Sequence, residues 1–362
     1  FNTEINSNIN YAFCWFLWGK ISKWKHIQFK HNHNTPDIKL DLRGVSCKWQ
    51  IGIILDKING CEPIPNDPND PNGPNDPNDH LLLPKIDIKE QQEKQVKLGR
   101  GVYGSVFKTS LINNTVVASK RSILFTDEDG VLETHYLREL NILKSLNHTN
   151  VIKFYGYCVN QFDHIFIHLE LMDETLEQHI TSNPNIGDNI RFKYILELLH
   201  GMQYLHSCGI IHRDLSHQNI MIRNNQLKII DFGMARRLST PCEKIIVHST
   251  VCCMLYRPIE ILRGAKSYSF EFDVWSGGCL VYYILSGLYL FDYEPSCIPN
   301  ADKMSQEDRM IYIIQTYKIK RLNSYIHNFP SEIKLATKML CDDPASRISI
   351  NDALMQFMEV SQ

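Results

Sequence analysis

Ile211-His212-Arg213-Asp214-Leu215-Ser216-His217-Gln218-Asn219, followed twelve residues later by Asp231-Phe232-Gly233, is the stretch on which the reading of this chain turns. It sets two carboxylates and a carboxamide close together in sequence. Carboxylate and carboxamide oxygens are hard donors suited to Mg²⁺, which takes few protein ligands and fills its remaining positions from substrate phosphates and water. Asn219 and Asp231 are therefore the candidate metal ligands. Asp214 is the candidate group to accept or orient the proton of an attacking hydroxyl.

Upstream runs Leu98-Gly99-Arg100-Gly101-Val102-Tyr103-Gly104-Ser105-Val106, a GxGxxG between two strand-like runs. Glycines let backbone amides close over phosphates, although hairpin turns use them too. A dinucleotide-binding fingerprint requires a helix directly after the glycines, and Ser105-Val106-Phe107-Lys108 continues as a strand. Sixteen residues past Gly104, in Val117-Ala118-Ser119-Lys120, alternation puts Ala118 and Lys120 on one face. That pairs a small residue for a base ring with an ammonium for phosphate oxygens. A surface lysine on an edge strand is the alternative. Glu139, in a helical run predicted over Leu132 to Leu146, is placed to pair with Lys120 and fix its direction.

In this order and spacing the chain resembles the eukaryotic-type protein kinases, from Gln92 to Phe357. The resemblance implies an α+β, two-lobed fold: a β-rich N-lobe with one main helix over 92–171 and a helical C-lobe over 174–357, with ATP bound in the cleft. It implies phosphoryl transfer from ATP, with Mg²⁺, to a Ser or Thr of a protein substrate. By position it adds Glu170 to Met172 as the hinge holding adenine, Leu169 as gatekeeper and Met221 beneath the ring. Nucleotide contacts are then expected from Leu98 through Gly104, Val106, Ala118, Lys120, Glu170, Met172 and Met221. Tyr256-Arg257-Pro258-Ile259-Glu260 resembles the close of the activation segment, with Ile259 where the family has Pro. Glu260 is expected to pair with Arg347, and Asp273 to Gly278 to form the helix anchoring the catalytic loop.

Within the superfamily, Gly130 to Leu140 and Leu146 to Ile152 are similar to the cyclin-dependent kinases, which implies a cyclin-like activating subunit as a partner. Arg138, Arg213 and Arg236 match arginines that converge there on a phosphorylated threonine, with Ser249 and Thr250 as the acceptors expected here. Two departures bear on mechanism: Ser216 stands where a lysine is usual, and Cys253 where a threonine is. Losing that lysine removes a cation from the transferring phosphate, an effect worth about 3 kcal/mol in barrier height. A nucleotide-binding scaffold without catalysis, and a dual-specificity kinase, are the alternative readings.

The rest of the sequence sets bounds. The chain has 362 residues, 43% hydrophobic, enough to bury a large core, and a net charge of -2 that argues against general affinity for nucleic acid. Eleven cysteines without paired metal-ligand spacing suit reduced thiols and a cytoplasmic or nuclear setting. The apolar run Tyr11 to Trp18 is too short for a membrane span, which needs about 20 residues. Asn-Asp-Pro repeats from Pro65 to Asp79 read as an extended linker, within a linker region over 65–91. Residues 1–64, with Trp15, Trp18, Trp24 and Trp49 among lysines, form a separate segment of unassigned fold. In the helical half, Phe192, Ile195, Leu196, Leu199, Met202 and Leu205 are predicted to share one buried helix face.

Overall fold

The computed structural model describes residues 29–31, 38–41, 96–101, 104–111, 113–123, 131–132, 135–159, 164–238, 240, 243–247, 252–292 and 298–360. The expected linker over 65–79 lies outside them. The chain divides into two compact units, residues 1–145 with 154–171, and residues 146–153 with 172–362.

The first unit contains β1 (Phe29–His31), β2 (Ile38–Asp41), β3 (Val96–Gly101), β4 (Gly104–Ser110), β5 (Val116–Ile123), β6 (Val131–Leu132), α1 (His135–Lys144), β7 (Phe154–Val159) and β8 (His164–Glu170). Its main sheet is antiparallel, in the order β3-β4-β5-β8-β7. Alternation along β5 buries Val117 and Ser119 completely on one face, and leaves Ala118 half-buried beside Lys120 on the other. Gly101 pairs with Gly104, whose φ of 150° is one that side-chain-bearing residues rarely adopt. The helix predicted from Leu132 begins only at His135. Val131 and Leu132 instead pair with Asp41 and Leu40, and this ladder satisfies backbone groups that the first turn of a helix would leave without partners. Leu140, Ile142 and Leu143 of α1 enter the core.

The second unit contains β9 (Glu174–Thr175), α2 (Leu176–Ser182), α3 (Asp188–Ser207), β10 (Ile210–Ile211), β11 (Ile220–Arg223), β12 (Gln226–Ile229), β13 (Arg236–Arg237), β14 (Ile245–Ile246), α4 (Ile259–Leu262), β15 (Ser267–Tyr268), α5 (Glu271–Ser286), α6 (Gln306–Ser324), α7 (Pro330–Met339) and α8 (Ile350–Val360). Thr175 starts α2 through a reciprocal capping box with Gln178. The buried set on α3 is Tyr194, Ile195, Leu198, Leu199, Gly201, Met202 and Leu205. Phe192 and Leu196 are only half-buried, so the predicted stripe is rotated toward Tyr194 and Leu198. The rotation has a polar cause: the Tyr194 hydroxyl meets His179 Nε2 at 3.0 Å, which lets a tyrosine sit fully inside.

At the centre of this unit is α5, where every residue from Phe272 to Leu285 is buried. A helix apolar on all sides must be surrounded. Gly277 and Gly278 permit the close approach, since a Cβ there would come within 2.7 Å of Met202 and 2.8 Å of Leu340. Gly287, at φ 71°, ends the helix in the left-handed conformation. Glu260 and Arg347 form a two-pronged ion pair, both contacts 2.9 Å, with the Arg347 side chain wholly buried against the Trp275 ring. Among the described residues no helix is long and apolar enough to cross a membrane.

Candidate active site

The loop between β10 and β11 carries Asp214 and is shaped by one buried carboxylate. Asp273, in the first turn of α5, accepts from the backbone amides of His212 (2.7 Å) and Arg213 (2.9 Å) and faces His206 Nε2 at 3.2 Å. These bonds hold Arg213 at φ 70°, unfavourable for a side-chain-bearing residue. Complete burial pushes the Asp273 carboxyl upward, yet these hydrogen bonds and the neighbouring histidines hold it below the usual carboxylate range. The helix thus sets the loop's backbone, as the sequence anticipated. His212 closes the other side: Nε2 lies 2.9 Å from the Ile230 carbonyl and Nδ1 accepts from the Asp214 amide at 3.3 Å. These partners assign the proton to Nε2.

Asp214 and Asn219 are brought together. Asn219 Nδ2 donates to the Asp214 carbonyl and to its Oδ2, both at 2.8 Å, which directs the Asn219 side-chain oxygen away from Asp214. Burial raises the Asp214 pKa and the charge of Asp231 adds to it, while hydrogen bonds from Asn219 and the Cys253 amide oppose. Asp231 has φ 60° and accepts from the Gly233 amide at 3.3 Å. The donor set of Asn219 and Asp231 fits a hard divalent cation that draws its other ligands from phosphate. Among the described residues no cluster of three or more His, Cys, Asp or Glu side chains forms a self-sufficient metal site.

In the first unit, Lys120 Nζ lies 2.7 Å from Glu139 Oε1, and both residues are buried. Ala118 pairs with Leu169 across β5 and β8, and Val117 with Glu170. Leu98 is exposed, and Gly99 has open space where a Cβ would stand. Val106 pairs with both Gly99 and Lys120. Val102 and Tyr103 lie outside the described residues. In the second unit Met172 is buried, and Met221 is half-buried opposite Thr175 and Lys228. Ser249 and Thr250 also lie outside the described residues. Arg213 donates to the Met234 carbonyl at 3.0 Å and stacks over Tyr268. Arg236 is in β13, paired with β10, and Arg138 is half-buried on α1.

Two features were missed from the sequence. His206 supports Asp273 across 67 positions, a separation at which no local pattern operates. His217 is buried among Tyr256, Tyr283 and Tyr289; a polar residue three positions from Asp214 was the available signal.

Residues 92–358 match the protein kinase domain family. A curated protein of Acanthamoeba polyphaga mimivirus, named as a serine/threonine-protein kinase, is 33% identical over 283 residues, which cover 73% of this chain and 50% of that protein. The chain therefore spans about half the length of this relative. With the match covering most of the chain, and with the catalytic-loop geometry around Asp214, Asn219 and Asp273, the chain belongs to the protein kinase family.

Proposed function

We propose that this chain transfers the γ-phosphate of ATP to serine or threonine hydroxyls of protein substrates, with Mg²⁺ as the metal. The observation that carries the reading is the Asp214 carboxylate, whose Oδ2 accepts from Asn219 Nδ2 at 2.8 Å. A carboxylate oriented in this way is suited to receive the hydroxyl of an acceptor side chain and direct its oxygen in line with a phosphorus atom. Asn219 and Asp231 would hold the metal, whose positive charge offsets the charge on the phosphate oxygens. Lys120, oriented by Glu139, would position the phosphates in the way family members use this pair. The relative's name supports serine and threonine as the acceptors.

Ser216 is buried and brings no cation to the transferring group, so slow turnover belongs to this proposal. The second reading, a nucleotide-binding scaffold, is favoured by that one position. An assay with radiolabelled ATP and Mg²⁺ on mixed Ser/Thr and Tyr acceptors, run beside Asp214→Asn, separates the two. Label on Ser or Thr that disappears in the variant is expected. Equal incorporation in parent and variant would overturn the assignment, and label on Tyr would extend the acceptor class.

A further inference from the structure

His217 is 5% exposed, and four separate elements of the second unit converge on its ring. Its Nδ1 lies 2.8 Å from the Tyr256 hydroxyl. Tyr256 closes the short turn Met254–Tyr256 that follows Cys253, whose backbone is near enough to Asp214 to lower its carboxyl's pKa. On the other edge, Nε2 lies 3.4 Å from Glu177 Oε2 on α2, and Tyr289 donates to Glu177 Oε1 at 2.5 Å. Tyr283 of α5 packs against the same ring, 5.7 Å between centroids.

The contacts of the ring fit one tautomer of a neutral imidazole. Burial holds the Tyr256 phenol well above its ordinary pKa, so it is neutral and able to donate. Nε2 also lies 3.4 Å from the Tyr289 hydroxyl, whose own hydrogen goes to Glu177, so the imidazole N–H faces both the Tyr289 oxygen and the Glu177 carboxylate. His217, kept neutral by burial, then accepts from Tyr256 at Nδ1 and presents its Nε2 hydrogen to Tyr289 and Glu177. No other common side chain accepts on one edge and donates on the opposite edge of a single rigid ring. The Tyr256 carbonyl is held in addition by Ser276 Oγ of α5 at 2.9 Å, so the turn is fixed at both its backbone and its side chain.

We propose that His217 is a positioning residue for the acceptor protein: it ties the Cys253–Tyr256 turn to the catalytic loop, so that the hydroxyl-bearing segment is presented to Asp214 at a fixed distance. This rests on the phosphotransfer reading above. It assigns His217, Tyr256 and Glu177 to the acceptor side of the reaction, apart from the nucleotide.

The test uses the full chain with casein and histone as acceptor probes, and measures kcat and separate KM values for ATP and for acceptor. His217→Phe keeps the ring volume and removes both hydrogen bonds. His217→Asn retains an acceptor near the Nδ1 position, and Tyr256→Phe removes the matching donor. His217→Phe and Tyr256→Phe are each expected to raise the acceptor KM about ten-fold, the equivalent of about 1.4 kcal/mol, while the KM for ATP stays within about two-fold. The double variant should be no worse than His217→Phe alone, because the bond that Tyr256→Phe removes is already absent there. His217→Asn should recover most of the loss. An unchanged acceptor KM in His217→Phe, or a uniform fall in every parameter that follows the melting temperature and that Asn does not rescue, overturns the proposal while leaving phosphotransfer standing. A parent chain that labels no acceptor overturns both.

Discussion

Replacing Asp273 with Asn tests whether one buried carboxylate shapes the catalytic loop. The side chain keeps its volume, but one oxygen becomes an NH₂ group. If the amide nitrogen takes the Oδ1 position, the bond from Arg213 at 2.9 Å is lost and two donors face each other. In the opposite orientation the bonds from His212 and His206, at 2.7 and 3.2 Å, are lost together. The first choice is the cheaper. It removes a hydrogen bond to a charged acceptor, worth about 1.5–3 kcal/mol, and buries an unmatched donor at about 1–3 kcal/mol. Arg213, at φ 70°, has no reason to keep that conformation once its amide is released. The expected loss is about 3–5 kcal/mol, a fall of about 10 °C in melting temperature for a unit of this size. Phosphotransfer should drop by at least about ten-fold, because Asp214 directly follows the released residue. Acid sensitivity gives a second readout. The folded-state pKa of Asp273 is depressed, so its contribution is complete above the unfolded carboxylate value and is lost as pH falls through the folded one. The Asn variant should lack that part of the acid slope. Melting within about 2 °C of the parent, with unchanged activity, would refute the argument.

Three further outcomes follow from other buried polar groups. His168 is fully buried on β8, bonded through Nδ1 to Ser119 at 2.9 Å with no partner at Nε2, and burial lowers its pKa to about 4. Its folded value lies below the unfolded 6.5, so stability is full above pH 6.5 and declines by about 3 kcal/mol as pH falls toward 4. Melts across that range should show a shallower decline for His168→Asn, and parallel slopes would contradict this. Glu260→Gln leaves the Arg347 guanidinium buried without its counter-charge, at an expected cost of about 3–5 kcal/mol by denaturant titration. The Glu260→Leu/Arg347→Leu pair should lose less than the single change, and an equal or larger loss would count against charge burial as the cause. Lys120→Met should abolish phosphotransfer and also destabilise the first unit, because Glu139 is 1% exposed. Adding Glu139→Leu should restore the melting temperature and not the activity, and a double variant that stays as unstable as Lys120→Met would refute this account.

Much of the chemistry was legible in the order and spacing of short motifs. Asp214 and Asn219 lie five residues apart in one loop, close enough for Asn219 Nδ2 to reach Asp214. Strand alternation placed Ala118 and Lys120 on one face without knowledge of the fold. The start of α1 was misjudged because Val131 and Leu132 are apolar in either reading, and only pairing with residues far upstream selected the strand. The buried face of α3 was rotated for a similar reason: a tyrosine counts as half-polar until a partner such as His179 meets its hydroxyl.

What the sequence determined by itself is the set of groups that the chemistry needs, because each motif is short enough for its own backbone to present it. What only the tertiary structure decided is how those groups are held. Asp273 meets His212 and Arg213 across some 60 positions, and His217 meets Tyr256 across 39. A hydrogen bond depends on tenths of an ångström and on direction, and between distant residues both are set by the packing of whole helices, above all around α5.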